Sequence, residues 1–254
     1  MKTALIAPIG TSAPVITEMA QYLNGMEGLF LTDMVIIPTQ NEYVKAHTSL
    51  AKEALRSKYP KMRIHIRPLP FEDINSTEDN IEFMRMVARV ISEERSEYKC
   101  EKVYLSIAGG RKDVCTSLAI VGQLIGADGV FHVIYPSLGN INIGLERIKD
   151  KILELHYAPS NQREEIYLKY RELFDTVMFP PIEELNYIHI PCIPYPREYM
   201  GKLVAILLSK SMPLDKTGIL QQDLKRLERA GIVTLLKDRV VATEFGSMVG
   251  GIWR

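Results

Sequence analysis

Short apolar runs alternate with longer amphipathic segments over roughly the first 135 residues of the chain. The runs are β-branched or apolar and nearly continuous, which is typical of strands buried on both faces of a sheet. They predict strands at 3–7, 34–38, 63–69, 102–108 and 130–135. The segments between them carry apolar residues at i, i+3 and i+4, and they predict helices at 14–23, 42–58, 77–98 and 113–125. The alternation predicts an α/β fold, a Rossmann-like layer sandwich around a mostly parallel sheet.

Beyond Pro136 the pattern is less regular, and the segment 146–155 fits either a helix or an extended ribbon. The remaining signals predict a turn at 137–140, a helix capped by Ser160 that runs to about Thr176, and an added edge strand at 186–193.

The composition changes at Arg197, where a helix, a second helix and a broken ribbon follow one another at 198–209, 217–230 and 232–242. This order outlines a small winged helix-turn-helix. We therefore predict two domains, residues 1–196 and 197–254. The second holds 10 basic and 6 acidic residues, a net charge of +4, which leaves −4 for the first because the whole chain is neutral.

A formal net charge of zero excludes a uniformly basic nucleic-acid coat, so a polyanion must be bound by a local group of residues. The 3 cysteines are odd in number and never form a C-x-x-C pair, which argues against a disulfide framework and a thiolate zinc site and favours a cytoplasmic location. The 5 histidines lack metal-ligand spacing, so no metal or cofactor is expected. The N-terminal apolar run is too short for a signal peptide, and no run reaches the ~20 residues of a membrane span.

Two strand-to-helix turns carry the candidate chemistry. Residues 8–14 (Pro-Ile-Gly-Thr-Ser-Ala-Pro), here called the first turn, are small enough to let a ligand approach the backbone. Helix N-termini at such turns present free N–H groups and partial positive charge to anions. Ser12 also fits a purely structural interpretation as the N-cap of the next helix, followed by a first-turn proline at Pro14.

The second turn, residues 106–113 (Ser-Ile-Ala-Gly-Gly-Arg-Lys-Asp), joins two glycines to two cations at a strand end. Arg111 and Lys112 oppose the dipole of the helix they begin, by roughly 0.3–1 kcal/mol each, unless an anion shares the site. In the alternative interpretation Asp113 partners one cation and both cations reach solvent. Phosphate binding is the interpretation we favour. Neither turn is a Walker loop or a G-x-G-x-x-G motif, which argues against nucleoside triphosphate hydrolysis and NAD chemistry.

Other polar positions are less specific. Thr39, Gln40 and Asn41 follow the second predicted strand and could contact a base or a sugar, although turn chemistry explains them equally well. Glu72 and Asp73 precede a helix, where acidic residues are stabilising, and we interpret them as helix-start charges.

Four short motifs together resemble the CRISPR-associated CARF domains: residues 10–12 (Gly-Thr-Ser), 108–112 (Ala-Gly-Gly-Arg-Lys), 126–127 (Gly-Ala) and 131–133 (Phe-His-Val). More narrowly, the chain is similar to the standalone CARF ring nucleases, which degrade cyclic tetra-adenylate and carry a C-terminal winged helix-like domain. The resemblance implies a homodimer that binds the cyclic ligand across its two-fold axis, in keeping with the symmetry of a four-phosphate ring.

The resemblance also implies a reaction, a metal-independent phosphodiesterase step. The ribose 2′-hydroxyl attacks its own 3′-phosphate, yields linear di-adenylate with a 2′,3′-cyclic phosphate, and so switches off type III CRISPR signalling. By this analogy Lys112 stabilises the transition state and Ser12 positions the ribose or the phosphate. The expected ligand contacts are Gly10, Thr11, Gly109, Gly110 and Arg111 in the two turns, with Thr39 and Gln40 beside them.

CARF proteins with a winged helix can instead be ligand-responsive transcription regulators. The second helix of the C-terminal segment carries residue types that read bases and phosphates, namely Gln221, Gln222, Lys225, Arg226 and Arg229. Asp223 and Glu228 on the same helix and a charge of only +4 argue against duplex binding. DNA binding is therefore an alternative, and a winged helix used only for dimerisation is favoured. A CARF-activated ribonuclease is disfavoured because the C-terminal part lacks an Arg-x-x-x-x-His stretch.

Overall fold

Six strands form one sheet in the order β3-β2-β1-β4-β5-β6. The computed structural model describes residues 1–26, 29–136, 138–193, 195–209 and 211–253, without the side chains of residues 138–140. The strands are β1 (Thr3–Pro8), β2 (Leu31–Ile37), β3 (Arg63–Ile66), β4 (Lys102–Ser106), β5 (Gly129–Ile134) and β6 (Asn186–Ile190). The first five pair in parallel, and β6 pairs antiparallel with β5 at one edge. The predicted α/β class, the mostly parallel sheet and the added edge strand are confirmed.

Helices cover both faces of this sheet. They are α1 (Pro14–Gly25), α2 (Glu42–Lys58), α3 (Thr77–Ser96), α4 (Lys112–Ile125), α5 (Leu138–Arg147), α6 (Lys149–Tyr157), α7 (Arg163–Lys169) and α8 (Arg171–Met178). Alternate residues of β1 point to opposite faces: Leu5 joins the core built with α1 and α2, whereas Ile6 joins the core built with α3 and α4. Burial on both faces explains why the strand is a continuous apolar run.

The segment after β5 differs from the prediction. Residues 138–140, predicted as a turn with Ser137, belong to α5, and Ser137 itself lies outside the described residues. The ambiguous segment 146–155 is helical, and it spans the end of α5 and most of α6. The physical reason is a set of buried side chains at helical spacing, which tertiary packing favours over the local turn signal: Ile141, Leu145, Ile148, Ile152 and Leu155.

The predicted helix from Ser160 to Thr176 is two helices, α7 and α8, that meet at Tyr170. Ser160 is not its N-cap, because α7 begins after Gln162 and has no side-chain cap. The chain before α7 is held instead by Arg163, whose guanidinium donates to the carbonyl oxygens of Ala158 at 3.1 Å and His156 at 2.6 Å.

The C-terminal elements are α9 (Arg197–Leu208), β7 (Met212–Pro213), α10 (Gln221–Arg229), β8 (Val233–Leu235), β9 (Arg239–Ala242) and α11 (Glu244–Gly250), with a 3-10 turn at Leu214–Lys216. Three short strands form an antiparallel sheet in the order β7-β9-β8 around a small core that includes Ile206, Leu224 and Val240. A final 3-10 turn, Gly251–Trp253, places Ile252 in the core of α3 and α4. The predicted boundary at residue 197 stays a prediction. Within the described ranges, every helix is too short or too polar to cross a bilayer.

Candidate functional site

The two turns predicted to bind an anion meet at one edge of the sheet. β1 and β4 are neighbours, and the chain leaves β1 toward β2 on one side and β4 toward β5 on the other. In parallel sheets this reversal of strand order opens a crevice beyond the carboxyl ends of the two strands, where ligands commonly bind. A cavity of about 480 Å³ lies here, lined by both turns. Cavities of this size suit small ligands.

Glycines bring the two turns into direct contact. A Cβ on Gly109 would collide with the carbonyl oxygen of Pro8, so only glycine fits between the turns. Gly110 has a φ of 98°, in the left-handed region that favours glycine. A Cβ on Gly10 would lie 3.8 Å from the backbone nitrogen of Gly110, which is an ordinary contact. The backbone geometry therefore requires glycine at positions 109 and 110 more strictly than at position 10.

Two helices begin at this cavity without a side-chain cap. The N-cap positions of α1 and α4 are Ala13 and Arg111, and neither side chain accepts a hydrogen bond from its helix. The neighbouring helices differ, because Asn41 caps α2 and Ser76 caps α3. Uncapped N-termini leave N–H donors and partial positive charge directed at the cavity. This arrangement suits phosphate oxygens.

Ser12 lines the cavity but does not cap α1. The structural interpretation of Ser12 as an N-cap is wrong, since Ala13 occupies that position. The Ser12 Oγ is buried and has no hydrogen-bond partner among the described residues. A buried hydroxyl without a partner costs about 1–3 kcal/mol, so its presence in a native cavity calls for an explanation. A ligand oxygen in the cavity would supply the missing partner.

The two cations of the second turn differ in their surroundings. Arg111 lines the cavity and binds two carboxylates: its Nη1 lies 2.5 Å from Asp73 Oδ2, and its Nε lies 3.4 Å from Asp113 Oδ1. Hydrogen bonding to Asp73 raises the pKa of Arg111 above its usual value. Lys112, the first residue of α4, is exposed and is not part of the cavity lining, although it follows the lining residue Arg111 in the chain; no described residue binds its side-chain amine. The alternative interpretation of the second turn describes this geometry, because Asp113 partners one cation, Arg111, and the side chains of both Arg111 and Lys112 reach solvent.

The three polar residues that follow β2, Thr39, Gln40 and Asn41, differ in their contacts. Thr39 lines the cavity. Asn41 lines it as well, and its side chain caps α2 by accepting from the backbone N–H groups of Tyr43 and Val44. Gln40 lies outside the lining and donates from Nε2 to the carbonyl oxygen of Leu69 at 2.7 Å. Ligand contact stays a prediction for Thr39 and Gln40, as it does for the residues of the two turns.

Part of the cavity lining is apolar, which suits the face of a nucleobase better than a second phosphate. The buried side chains that form this part of the lining are Ile9, Ile37, Val44, Leu69, Ile74, Phe83 and Val114.

Asp73 is the site residue that sequence reasoning missed. The interpretation of Asp73 as a helix-start charge is wrong, because α3 begins at Thr77 and Asp73 lies on the loop that borders the cavity. Asp73 meets Arg111 38 positions away along the chain, and no local pattern links the two. Glu72 also lines the cavity, so the charged lining comprises two carboxylates and one guanidinium.

A second polar group lies at the opposite end of the sheet, here called the buried charge cluster and comprising Asp33, Arg63, Glu94 and Cys100. The Asp33 carboxylate is fully buried and receives two hydrogen bonds from Arg63, at 2.6 and 2.8 Å. Burial opposes ionisation of Asp33, but hydrogen bonds from Arg63, Thr32 and His65 lower its pKa below the usual value. The Cys100 Sγ lies 3.4 Å from oxygens of both Asp33 and Glu94.

The three acidic groups of this cluster lie close enough together for metal binding, with ligand atoms within 4.8 Å of one another. Sequence reasoning missed the grouping because Asp33 lies far along the chain from Glu94 and Cys100. Burial and the nearby carboxylates raise the pKa of Cys100 to about 12, so the thiol keeps its proton. Since Arg63 already supplies the counter-charge, the cluster is a structural ion pair with a hydrogen-bonded thiol.

Comparisons with known proteins supply the context for this geometry. The sequence profile of a family described as CRISPR-associated protein NE0113 matches residues 12–224. The CRISPR system ring nuclease SSO2081 of Saccharolobus solfataricus is 27% identical over 159 residues, which are 61% of this chain and 81% of that protein. Csm6 of Enterococcus italicus, solved bound to cyclic hexa-2′-fluoro-hexa-dAMP, matches with a TM-score of 0.44 and 14% identity. That match covers 82% of this chain and 46% of the Csm6 chain, so this chain spans less than half the length of that neighbour.

Proposed function

Because the chain belongs to the CRISPR-associated protein NE0113 family, we propose that it is a ring nuclease that binds cyclic tetra-adenylate at the cleft between the two turns. Membership in this family agrees with the CRISPR association that the sequence motifs imply. A relative named as a CRISPR system ring nuclease supports the choice of reaction. The observation that carries the proposal is the unpartnered Ser12 hydroxyl, which is buried in the lining of this cavity.

The substrate follows from the shape and chemistry of the cavity. Two uncapped helix N-termini favour phosphate, and the apolar lining favours the face of an adenine. One cavity of this size holds part of a tetra-adenylate ring. A homodimer with two-fold symmetry offers two such cavities, which matches the symmetry of the ring.

The reaction is an intramolecular displacement at phosphorus. The 2′-oxygen of one ribose forms a bond to the adjacent 3′-phosphorus, and the bond from that phosphorus to the 5′-oxygen of the next nucleotide breaks. The 2′-hydroxyl loses its proton, and the leaving 5′-oxygen gains one. Cleavage at two opposite positions gives two linear di-adenylates, each with a 2′,3′-cyclic phosphate and a 5′-hydroxyl. Because the nucleophile is already tethered to its target, alignment alone provides a large rate enhancement, and the step requires no metal ion.

Each site residue then has a distinct task. Lys112 stabilises the negative charge that builds on the phosphoryl oxygens, which for one well-placed donor contributes ~10²–10³ in rate. Ser12 donates its unpaired hydroxyl to the ribose or phosphate and aligns the attacking oxygen. Arg111 and the backbone N–H groups of Thr11, Gly109 and Gly110 hold the remaining phosphate oxygens.

A direct test is incubation of the purified protein with cyclic tetra-adenylate in excess EDTA, followed by chromatography of the products. We expect loss of the ring and accumulation of linear di-adenylate with a 2′,3′-cyclic phosphate. A ring that stays intact at stoichiometric enzyme would refute the nuclease. Cleavage that EDTA abolishes and magnesium restores would refute the metal-independent mechanism and leave the ring nuclease in place.

One observation favours a second candidate, a transcription regulator that responds to the same ligand. On α10 the side chains of Gln221, Gln222, Lys225 and Arg229 are exposed. The acidic groups that argue against DNA binding are partly engaged, since Asp223 pairs with Arg226 at 3.0 Å and Glu228 accepts from the backbone of Leu235 at 2.8 Å. A shift of duplex DNA that weakens steeply with salt would support this function, and its absence at low salt would refute it.

A further inference from the structure

Arg111 is the cationic side chain in the cavity lining, and its charge is already neutralised. Asp73 lies 2.5 Å from one guanidinium nitrogen, and Asp113 lies 3.4 Å from another. All three side chains are partly exposed, at 55% for Arg111, 47% for Asp73 and 37% for Asp113. A phosphate that binds Arg111 must therefore share the guanidinium with a carboxylate or displace it.

The Asp73 carboxylate is held in place from its own loop. Its Oδ1 accepts a hydrogen bond from the backbone N–H of Ile74 at 2.9 Å, while Oδ2 binds Arg111. Ile74 is 4% exposed and belongs to the core formed with α3 and α4. Because a buried neighbour anchors it, the carboxylate is fixed beside Arg111.

We propose that Asp73 competes with the phosphate for Arg111, and that it thereby weakens ligand affinity and speeds product release. This inference rests on the proposed function. A guanidinium binds a carboxylate and a phosphate through the same planar arrangement of donors, so the two anions are alternatives for one partner. Exposed ion pairs are weak, so a phosphate can displace the carboxylate at small cost. In a ring nuclease the product keeps the phosphates of the substrate and so binds the same guanidinium. A competing carboxylate therefore speeds dissociation of the product.

The informative substitution is Asp73→Asn. Asparagine keeps an oxygen that accepts from Ile74, so the loop retains its anchor, but it removes the charge that holds Arg111. Glu72→Gln is the matched control, because Glu72 lines the same cavity and pairs with no cation among the described residues. If the effect were a general reduction of negative charge at the cavity, both substitutions would act equally.

The experiment measures binding of cyclic tetra-adenylate by titration calorimetry in the Lys112→Ala background, where cleavage is slow. We expect Asp73→Asn to tighten the dissociation constant about three- to tenfold, and Glu72→Gln to change it by less than twofold. Adding Arg111→Ala should cancel the gain from Asp73→Asn, as a double-mutant cycle requires for a direct interaction. In the otherwise wild-type protein, Asp73→Asn should slow multiple turnover more than it slows single-turnover cleavage, because product release is the step that the competing carboxylate assists.

Equal effects of Asp73→Asn and Glu72→Gln, or a gain that persists without Arg111, would refute the competition and leave the proposed function intact. Absence of binding in every variant, with no cleavage by the wild-type protein, would refute the proposed function and this inference together. Thermal denaturation of each variant identifies any that is misfolded. Should Asp73→Asn fail to fold, Asp73→Ser provides a second test, because serine also removes the charge beside Arg111 and keeps a side-chain oxygen that can accept from the backbone N–H of Ile74.

Discussion

The two ends of the central sheet both gather polar and charged side chains, and they use them in opposite ways. At the carboxyl ends of β1 and β4, the cleft contains a hydroxyl without a partner and the N-termini of two helices without side-chain caps, and the exposed Lys112 follows the lining residue Arg111 in the chain. At the other end, the buried charge cluster gives Asp33 two hydrogen bonds from Arg63 and further ones from Thr32 and His65.

This difference indicates that one end of the sheet is suited to binding a ligand and the other end stabilises the fold. A native protein leaves few buried polar groups unsatisfied, and each one calls for an explanation; for Ser12, which lines a cavity, a bound ligand is that explanation. A saturated cluster contributes to the fold instead, because removing one member leaves the others buried without partners. Substitutions at the two ends should therefore fall into two classes, one affecting cleavage and the other affecting unfolding.

The largest effect on stability is expected at the buried end, for Arg63→Ala. It removes the main counter-charge of the fully buried Asp33 carboxylate, and because the Arg63 side chain is itself 42% exposed, we expect the free energy of unfolding to fall by about 2–3 kcal/mol, less than for a fully buried pair. Urea denaturation measures this, with Arg226→Ala as the control for an exposed pair worth less than about 1 kcal/mol. A loss no larger than that of the control would show that the cluster does not stabilise the fold.

Lys112→Ala should produce the largest effect at the cleft. Single-turnover cleavage of cyclic tetra-adenylate should slow about 10²–10³-fold, while affinity falls less, because the amine acts mainly on charge that develops in the transition state. Stability should not change, since the side chain is exposed. Lys61→Ala removes an exposed lysine beyond the cleft and should have no effect on cleavage. An unchanged single-turnover rate in Lys112→Ala would exclude Lys112 as a catalytic group.

Glu94→Gln tests the buried end through pH. Burial, helped by the charge of Asp33, raises the pKa of Glu94 from 4.5 to about 7. Above about pH 4.5 the unfolded chain releases a proton that the folded protein still holds, so Glu94 subtracts stability as pH rises to about 7. Glutamine removes this dependence, and the variant should lose roughly 2–3 kcal/mol less stability than wild type between about pH 5 and pH 8.

The pH series is measured by denaturant unfolding of both proteins, because burial also raises the pKa of Glu18 to about 7 and both carry that contribution. Parallel pH profiles for wild type and Glu94→Gln would contradict the raised pKa of Glu94.

Ser12→Ala should have the smallest of these effects, and it should change the rate of cleavage without lowering stability. Loss of the positioning hydroxyl should slow cleavage about ten- to hundredfold. Because this hydroxyl has no partner and does not cap α1, the melting temperature should stay the same or rise slightly. Ser76→Ala is the matched control: Ser76 caps α3, so this variant should lose about 1 kcal/mol of stability and keep its activity. A destabilised Ser12→Ala would indicate a structural hydroxyl.

Local patterns in the sequence predict the sheet well. The strands are continuous apolar runs, as burial on both faces requires, and α2 begins and ends where its amphipathic pattern predicts. The secondary structure of the α5 and α6 segment is harder to predict from the sequence, because Gly139 and Asn140 suggest a turn, whereas buried residues further along the chain favour a helix. In such segments tertiary packing overrides the local conformational preference of the residues.

Some residues of the candidate site can be predicted from local sequence patterns, and others cannot. Ser12, Gly109, Gly110 and Lys112 stand in two short motifs at strand ends, and parallel topology alone brings such motifs to one edge. Asp73 lies on a loop without a motif, and its role depends on an ion pair formed between distant segments. Contacts of this kind follow only from the folded geometry.

The final 3-10 turn links two parts of the molecule that are otherwise built around separate cores. Ile252 fills a position among the side chains of α3 and α4, and Gly251 packs against the Arg85 guanidinium, which would have to shift to admit a side chain there. Packing of this kind forms and breaks cooperatively. Heating should therefore release the C-terminal helices and the sheet in a single calorimetric peak, and the melting temperature of the whole chain should report on the docking of its last few residues.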